Sequence, residues 1–288
     1  MTGVVLAAAM LAAIPRPWTP VTVEAGTTLD LRGNQGMMYY PVILNGGTFA
    51  NTGFRNTGTT SPGIGALTLT ADSTWHQNQH AVFYGGGHVV AKMNNHTLTM
   101  KIDSGVNYAY IDDFEFDSGV LDVITGGGFA PYGAGIVTTN ALLRMNAVLV
   151  PWEHSRIGDM VMRCQVNSAG GSADSTLDIF GTYTPESDYL LHQVMQNGSA
   201  IDLAARELPW SIESSIIKGE TLRFAEGARV LLKLGDRKLQ TGDQVLAWTK
   251  KPEPMPQFIC DKPQKGGKFY ADDEGLFYRA PMMWILLR

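Results

Sequence analysis

Residues 65–75, GALTLTADSTW, and 85–101, GGGHVVAKMNNHTLTMK, alternate apolar residues with threonine or other polar residues, and each short run is closed by Gly, Asn, Asp or Ser. Alternation sends successive side chains to opposite faces of an extended chain, so each run predicts a half-buried strand and each polar cluster a turn. Leu67 and Leu69 then face inward and Thr68 and Thr70 outward, an arrangement that Leu98 and Met100 repeat. The same grammar recurs upstream in GTTLDLRGN (26–34) and ILNGGTFANTG (43–53). Downstream it returns in DDFEFDSGVLDVITGGG (112–128) and STLDIFGTYTP (175–185). A succession of such units, none able to bury its apolar face alone, predicts an all-β right-handed parallel β-helix (a β-solenoid) whose coils stack on one core. Rung spacing is irregular, which argues against calcium-binding nonapeptide and hexapeptide helices and suits a helix with variable loops. An open or sandwich-like all-β fold is the structural alternative.

Composition fits this reading. Of 288 residues, 17% are charged and 32 are glycine, against norms of ~25% and ~7%, the balance of a turn-rich β protein. The net charge of -5 gives no electrostatic case for holding phosphate backbones or anionic lipid, so nucleic acid is not an expected partner. The only two cysteines, Cys164 and Cys260, allow one bridge but neither a disulfide framework nor a thiolate metal site. Stacking makes a staple unnecessary, and unpaired or optionally paired thiols are the expectation.

The chain divides into three parts. Residues 1–20 open with an apolar run, Val4 to Ala13, of the length of a signal-peptide core and too short to span a bilayer. With no Lys or Arg before it, the run reads as an atypical signal or as an apolar cap on the open end of the stack. Residues 21–250 carry the strand grammar, with a short helical turn expected at 204–208. Asn34, Asn45, Asn94 and Asn95, recurring at turns, have a structural task available in satisfying the backbone of neighbouring coils. The triplets Gly85–Gly87 and Gly126–Gly128 read as turns, since neither has the Lys-Ser/Thr of a phosphate cradle. Residues 251–288 hold the Pro-broken connector, whose KKPEPMP begins at Lys250, and the apolar GLFYRAPMMWILLR, which serves as C-terminal capping strands. No stretch is long and apolar enough for a transmembrane helix.

Asp112, Asp113, Glu115, Asp117 and Asp122 form the densest acidic cluster, and on a strand Asp113, Glu115 and Asp117 share one face. Such carboxylates could hold Ca²⁺ or serve as the paired acids of a glycosidase; the simpler reading is a solvated face opposite buried Phe114 and Phe116. Asp112-Asp113 and Arg156-Ile157 supply two of the four fragments of a polygalacturonase-like pattern, without its Asn-Thr-Asp or His-Gly. His76, His80, His88 and His96 are good ligand types, but no Cys or Asp is spaced to complete a site, so neither a metal nor a cofactor is expected. No Gly-x-Ser-x-Gly elbow is present. Trp75 and Trp152, with Tyr132 and Trp210, are candidate sugar-stacking aromatics, the alternative being core packing.

VEAGTTLDLRGN (23–34), VILNGGTFANTG (42–53), ALTLTADSTW (66–75) and above all MNNHTLTMK (93–101) resemble the autotransporter-associated β-strand repeats of bacterial surface proteins, with Asn95 where the family phrase has Gly. TLRFAEGARVLLKLGDRKLQTGDQVLAW (221–248) and EGLFYR (274–279) resemble the terminal passenger segment of such proteins. The resemblance implies a secreted or cell-surface β-helix passenger, a scaffold or adhesin-like element without catalysis. Expected partners are surface glycans or other cell-surface proteins, met by a monomer. The alternatives are a β-helix polysaccharide hydrolase or lyase working through Asp112–Asp122, and a phage fibre or tailspike-like module, for which trimerisation would be diagnostic.

Overall fold

A computed structural model of the chain describes residues 19–32, 40–51, 64–77, 82–103, 108–149, 154–163, 176–185, 194–195, 199–205, 210–212, 223–224, 226–248, 251–262 and 267–281. The chain runs through β1 (Val21–Glu24), β2 (Thr28–Asp30), β3 (Pro41–Asn45), β4 (Thr48–Asn51), β5 (Ala66–Ala71), β6 (Ser73–Gln77), β7 (Val82–Lys92) and β8 (Thr97–Ile102). There follow β9 (Tyr108–Phe116), the long β10 (Val120–Leu149), β11 (His154–Met162), β12 (Thr176–Ile179), β13 (Thr182–Pro185), β14 (Val194–Met195) and β15 (Ala200–Asp202). A single 3₁₀ turn (Leu203–Ala205) leads to β16 (Trp210–Ile212), β17 (Arg223–Phe224), β18 (Arg229–Lys233), β19 (Gln244–Trp248), β20 (Gln257–Cys260), β21 (Lys268–Ala271) and β22 (Gly275–Arg279). The 3₁₀ turn begins one residue before the helical turn expected from sequence.

Eighteen of these strands form one parallel sheet wound as a β-solenoid. Each odd strand of the first coils pairs with the odd strand of the next, β1 with β3, β5, β7 and β9 in turn, and each even strand with the next even one. Register holds one inward column through Val42, Leu67, Ala91, Phe116, Thr138, Ile157 and Ile179. A second runs through Leu29, Phe49, Trp75, Met100 and Val123. Except for Thr138 both columns are apolar and all their members are buried; burying one Leu, Ile, Val, Phe or Met side chain is worth about 1.5–3 kcal/mol. The stack is therefore stabilised rung by rung, as the alternation at Leu67, Leu69, Leu98 and Met100 predicts.

Polar residues enter this interior where the backbone needs them. The Thr138 Oγ1 accepts from Gly158 N at 3.0 Å and the Ser199 Oγ donates to Ile179 O at 2.7 Å, so buried corner groups have partners. Outside, the turns are laced together by side chains. Asn45 Nδ2 donates to Glu24 Oε2 at 2.6 Å, Thr70 Oγ1 to Asn45 Oδ1 at 3.0 Å, and Asn94 Nδ2 to Leu69 O at 2.7 Å. Asn94 and Asn95 hold positive φ of 50° and 62°, which asparagine tolerates better than most residues. Of the asparagines expected to satisfy the backbone of neighbouring coils, Asn94 does so through Leu69 O; Asn45 bonds to the side chains of Glu24 and Thr70, Asn95 serves the turn through its φ, and Asn34 lies outside the described residues.

Both glycine triplets, expected as turns, fall within strand spans, β7 and β10. Gly128 pairs with Tyr108 in the parallel ladder, whereas Gly85–Gly87 sit at the register shift between Tyr84 and Val89 and Gly126–Gly127 between the pairings to β8 and to β9. Strand pairing runs across residue 250. The capping sheet takes β16 and β19 from the nominal solenoid segment in the order β16-β19-β22-β21, whereas β20, beyond the boundary, returns to the solenoid and pairs with β18. Val245, Leu246, Leu276 and Tyr278 of the capping sheet share one buried cluster with Leu232 and Leu234. The cap and the last coils are thus one packed unit.

Candidate functional site

The acidic cluster begins on β9, where Phe114 and Phe116 point inward and are buried. Glu115, between them, points outward. Its Oε1 accepts from Thr139 Oγ1 at 2.7 Å and its Oε2 lies 3.2 Å from His88 Nε2, so one carboxylate bridges the coils above and below its own. Asp117 sits past the end of β9, in the turn to β10. Its Oδ1 accepts from Met93 N of the preceding coil at 2.8 Å and from Ser118 Oγ at 3.0 Å. Asp122 reaches the following coil, with Asn146 Nδ2 at 3.4 Å and Arg144 at 3.7 Å. Asp113 lies where β9 shifts register against both β7 and β10; the side chains of Asp112 and Asp113 lie outside the described residues.

Of the residues expected to share one strand face, Asp113, Glu115 and Asp117, the last two are each engaged by a neighbouring coil. Glu115 lies on the strand face, while Asp117 caps a neighbouring turn. Asp117→Ala would strip the partly buried Met93 N–H of its partner and should cost about 1–3 kcal/mol in urea unfolding, with Asp117→Asn, which keeps an acceptor, recovering most of it. An alanine variant as stable as the parent would return Asp117 to the pool of free surface carboxylates.

The histidines are separated in the same way. His76 Nε2 lies 2.7 Å from Asp103 Oδ1, His88 pairs with Glu115, and His96 Nδ1 lies 3.5 Å from Asp72 Oδ1. Each imidazole meets one carboxylate of another coil, and among the described residues no group of three or more His, Cys, Asp or Glu could hold a metal ion. His80 lies outside those residues.

Among the aromatics, Trp75 is fully buried, edge-on to Phe49 at 5.4 Å and to Phe114 at 5.6 Å, with its Nε1 donating to Gln77 Oε1 at 2.9 Å. It is a core residue, and its role as a sugar platform is set aside. Trp152, and the side chains of Tyr132 and Trp210, lie outside the described residues.

A groove of about 510 Å³ lies where the last coil meets the cap, lined by Leu234, Met255, Phe258, Cys260, Phe269 and Tyr278 among others. Cys260 is a free thiol. Burial pushes its pKa up, a hydrogen bond with the Lys262 backbone opposes the rise, and Asp261 adds to it through its charge and hydrogen bond. The group is the protonated thiol at neutral pH and a poor nucleophile there. Cys164 lies outside the described residues.

The cap carries a feature that the sequence reading passed over. In the β21–β22 hairpin Lys268 stands opposite Arg279 and Tyr270 opposite Phe277. Tyr270 is 37% exposed, its ring stacked at 22° on Phe277, with the Arg279 guanidinium 4.9 Å from its centroid. KFYA and GLFYR separated by Asp-Asp-Glu was the available hairpin signal.

No family model, curated protein or solved structure matches the chain. Among the described residues no helix is long and apolar enough to cross a membrane.

Proposed function

We propose that this protein is a non-catalytic, secreted or bacterial cell-surface β-solenoid, an autotransporter-like passenger acting as a rigid scaffold or adhesin-like element. The observation that carries this reading is what the outward carboxylates do. Glu115, Asp117 and Asp122 each bond to side chains or backbone of a neighbouring coil. Groups committed to holding one rung on the next stiffen a rod and support a geometric role, in which stacked coils keep an extended face in register for many weak contacts.

The test has two arms. Antibody labelling and protease shaving of intact cells of the source bacterium should reach the protein without lysis; access only after lysis would overturn the surface assignment. Incubation with uronate polymers should release neither reducing ends nor unsaturated products. Turnover that disappears in Asp113→Asn would replace the scaffold with a polysaccharide hydrolase or lyase.

A further inference from the structure

We infer that the outward face of the β21–β22 hairpin is a binding subsite for a carboxylated saccharide, the uronate unit of an acidic polysaccharide. This deepens the adhesive reading above and rests on it for its biological setting. The face itself is built by its own residues.

Strand alternation fixes which side chains it presents. Leu276 and Tyr278 are buried beneath the hairpin, while Lys268, Tyr270 and Arg279 are exposed and Phe277 is half-buried between Tyr270 and Gln244 of β19. The Arg279 guanidinium lies over the Tyr270 ring, 4.9 Å from its centroid, and the Phe277 ring stacks on Tyr270 with centroids 5.6 Å apart. Contact with the aromatic ring restrains the guanidinium and leaves its planar fork of N–H donors free to grip a carboxylate through two parallel hydrogen bonds.

Charge supplies the second argument. Two cations directly opposite one another across a strand pair repel, and among the described residues neither Lys268 nor Arg279 has a carboxylate within 4.0 Å. The acidic residues of the hairpin lie at its other end, where Asp272 Oδ1 is engaged by the backbone N–H groups of Glu274 and Gly275 at 2.8 and 3.1 Å. On a chain of net charge -5, this leaves a local cationic pair that an incoming anion would relieve. The part of the Tyr270 ring that stays exposed offers apolar contact to the C–H face of a sugar, and the Tyr270 hydroxyl can exchange hydrogen bonds with sugar hydroxyls. A uronate carries all three complements on one ring. An acidic peptide carries only the carboxylate.

Isothermal titration of the full chain with a galacturonate trimer should give saturable binding that weakens as salt is raised. Arg279→Gln and Tyr270→Ala, both surface changes verified as folded by circular dichroism, should each weaken it about tenfold or more, the scale of one charge-assisted contact. Neutral galactotriose should bind at least about tenfold more weakly, having lost the same contact. Absence of saturable binding at millimolar trimer, or unchanged binding in both variants, overturns the subsite. Equal affinity for an oligoglutamate peptide overturns the saccharide and leaves a carboxylate-peptide site. Cell-surface labelling is independent of all these readings, so the subsite can fail while the scaffold stands.

Discussion

Replacing Trp75 with alanine should destabilise the protein by about 3–5 kcal/mol, the range for deleting a large buried aromatic, and Trp75→Phe by clearly less. Trp75 is fully buried on β6 between Phe49 of the coil before and Phe114, and alanine leaves both rings facing a void. The indole also donates to Gln77 Oε1, and Gln77 is itself buried. Alanine thus removes one hydrogen bond from a buried polar group, which adds to the cost. Urea unfolding followed by far-UV circular dichroism measures the loss. A shift below about 1 kcal/mol, the size of a surface substitution's effect, would mean that the indole faces solvent and that the inward column through Phe49, Trp75 and Met100 is wrong.

The second large effect lies in the turns. Gly119 has a φ of +72°, and a Cβ there would stand 2.2 Å from the carbonyl oxygen of His96. Gly26 has nearly the same φ, +76°, and open space around the position of its Cβ. Alanine at Gly26 should therefore cost only the left-handed conformation, about 1–2 kcal/mol. At Gly119 the same conformational term is joined by a clash with the backbone of the adjacent coil, for a total of roughly 2–5 kcal/mol once overpacking is added. Side-by-side denaturation of Gly26→Ala and Gly119→Ala isolates the coil-to-coil contact as the difference. Equal losses would mean that the Gly119 turn is not in close stacking contact with the His96 backbone of the coil before it.

Much of the fold was legible because stacking imposes a strict two-residue period on the inward side. Leu67, Leu69, Leu98, Met100, Phe114 and Phe116 are all buried, as their alternation with Thr, Glu and Asp predicts. The β6 segment STWHQ was harder, since its inward residues are Ser73, Trp75 and Gln77. Two of the three are polar, and the alternation carries no hydrophobic contrast. What makes them core residues is contact with other coils and with each other, as in the Trp75 to Gln77 hydrogen bond.

The boundary at residue 250 was placed on prolines and charge, which report local chain stiffness. Whether β19 joins the cap or β20 rejoins the solenoid is decided by strand pairing across the fold, where proline content has no vote. The candidate site divides along the same line. The sequence located the acidic residues, but the partners that engage them, Met93 for Asp117 and Thr139 for Glu115, lie one coil away and become neighbours only on stacking. The cationic aromatic face was written in KFYA and GLFYR, yet it emerges only when the hairpin register sets Tyr270 beside Phe277.

The parallel ladders have a mechanical corollary. Their backbone hydrogen bonds run from rung to rung, along the direction in which the coils pile up. Tension applied between the first coil and the cap would load those bonds end-on, so the rod would give way by shedding single turns from its weaker extremity, each releasing slack before the next is strained.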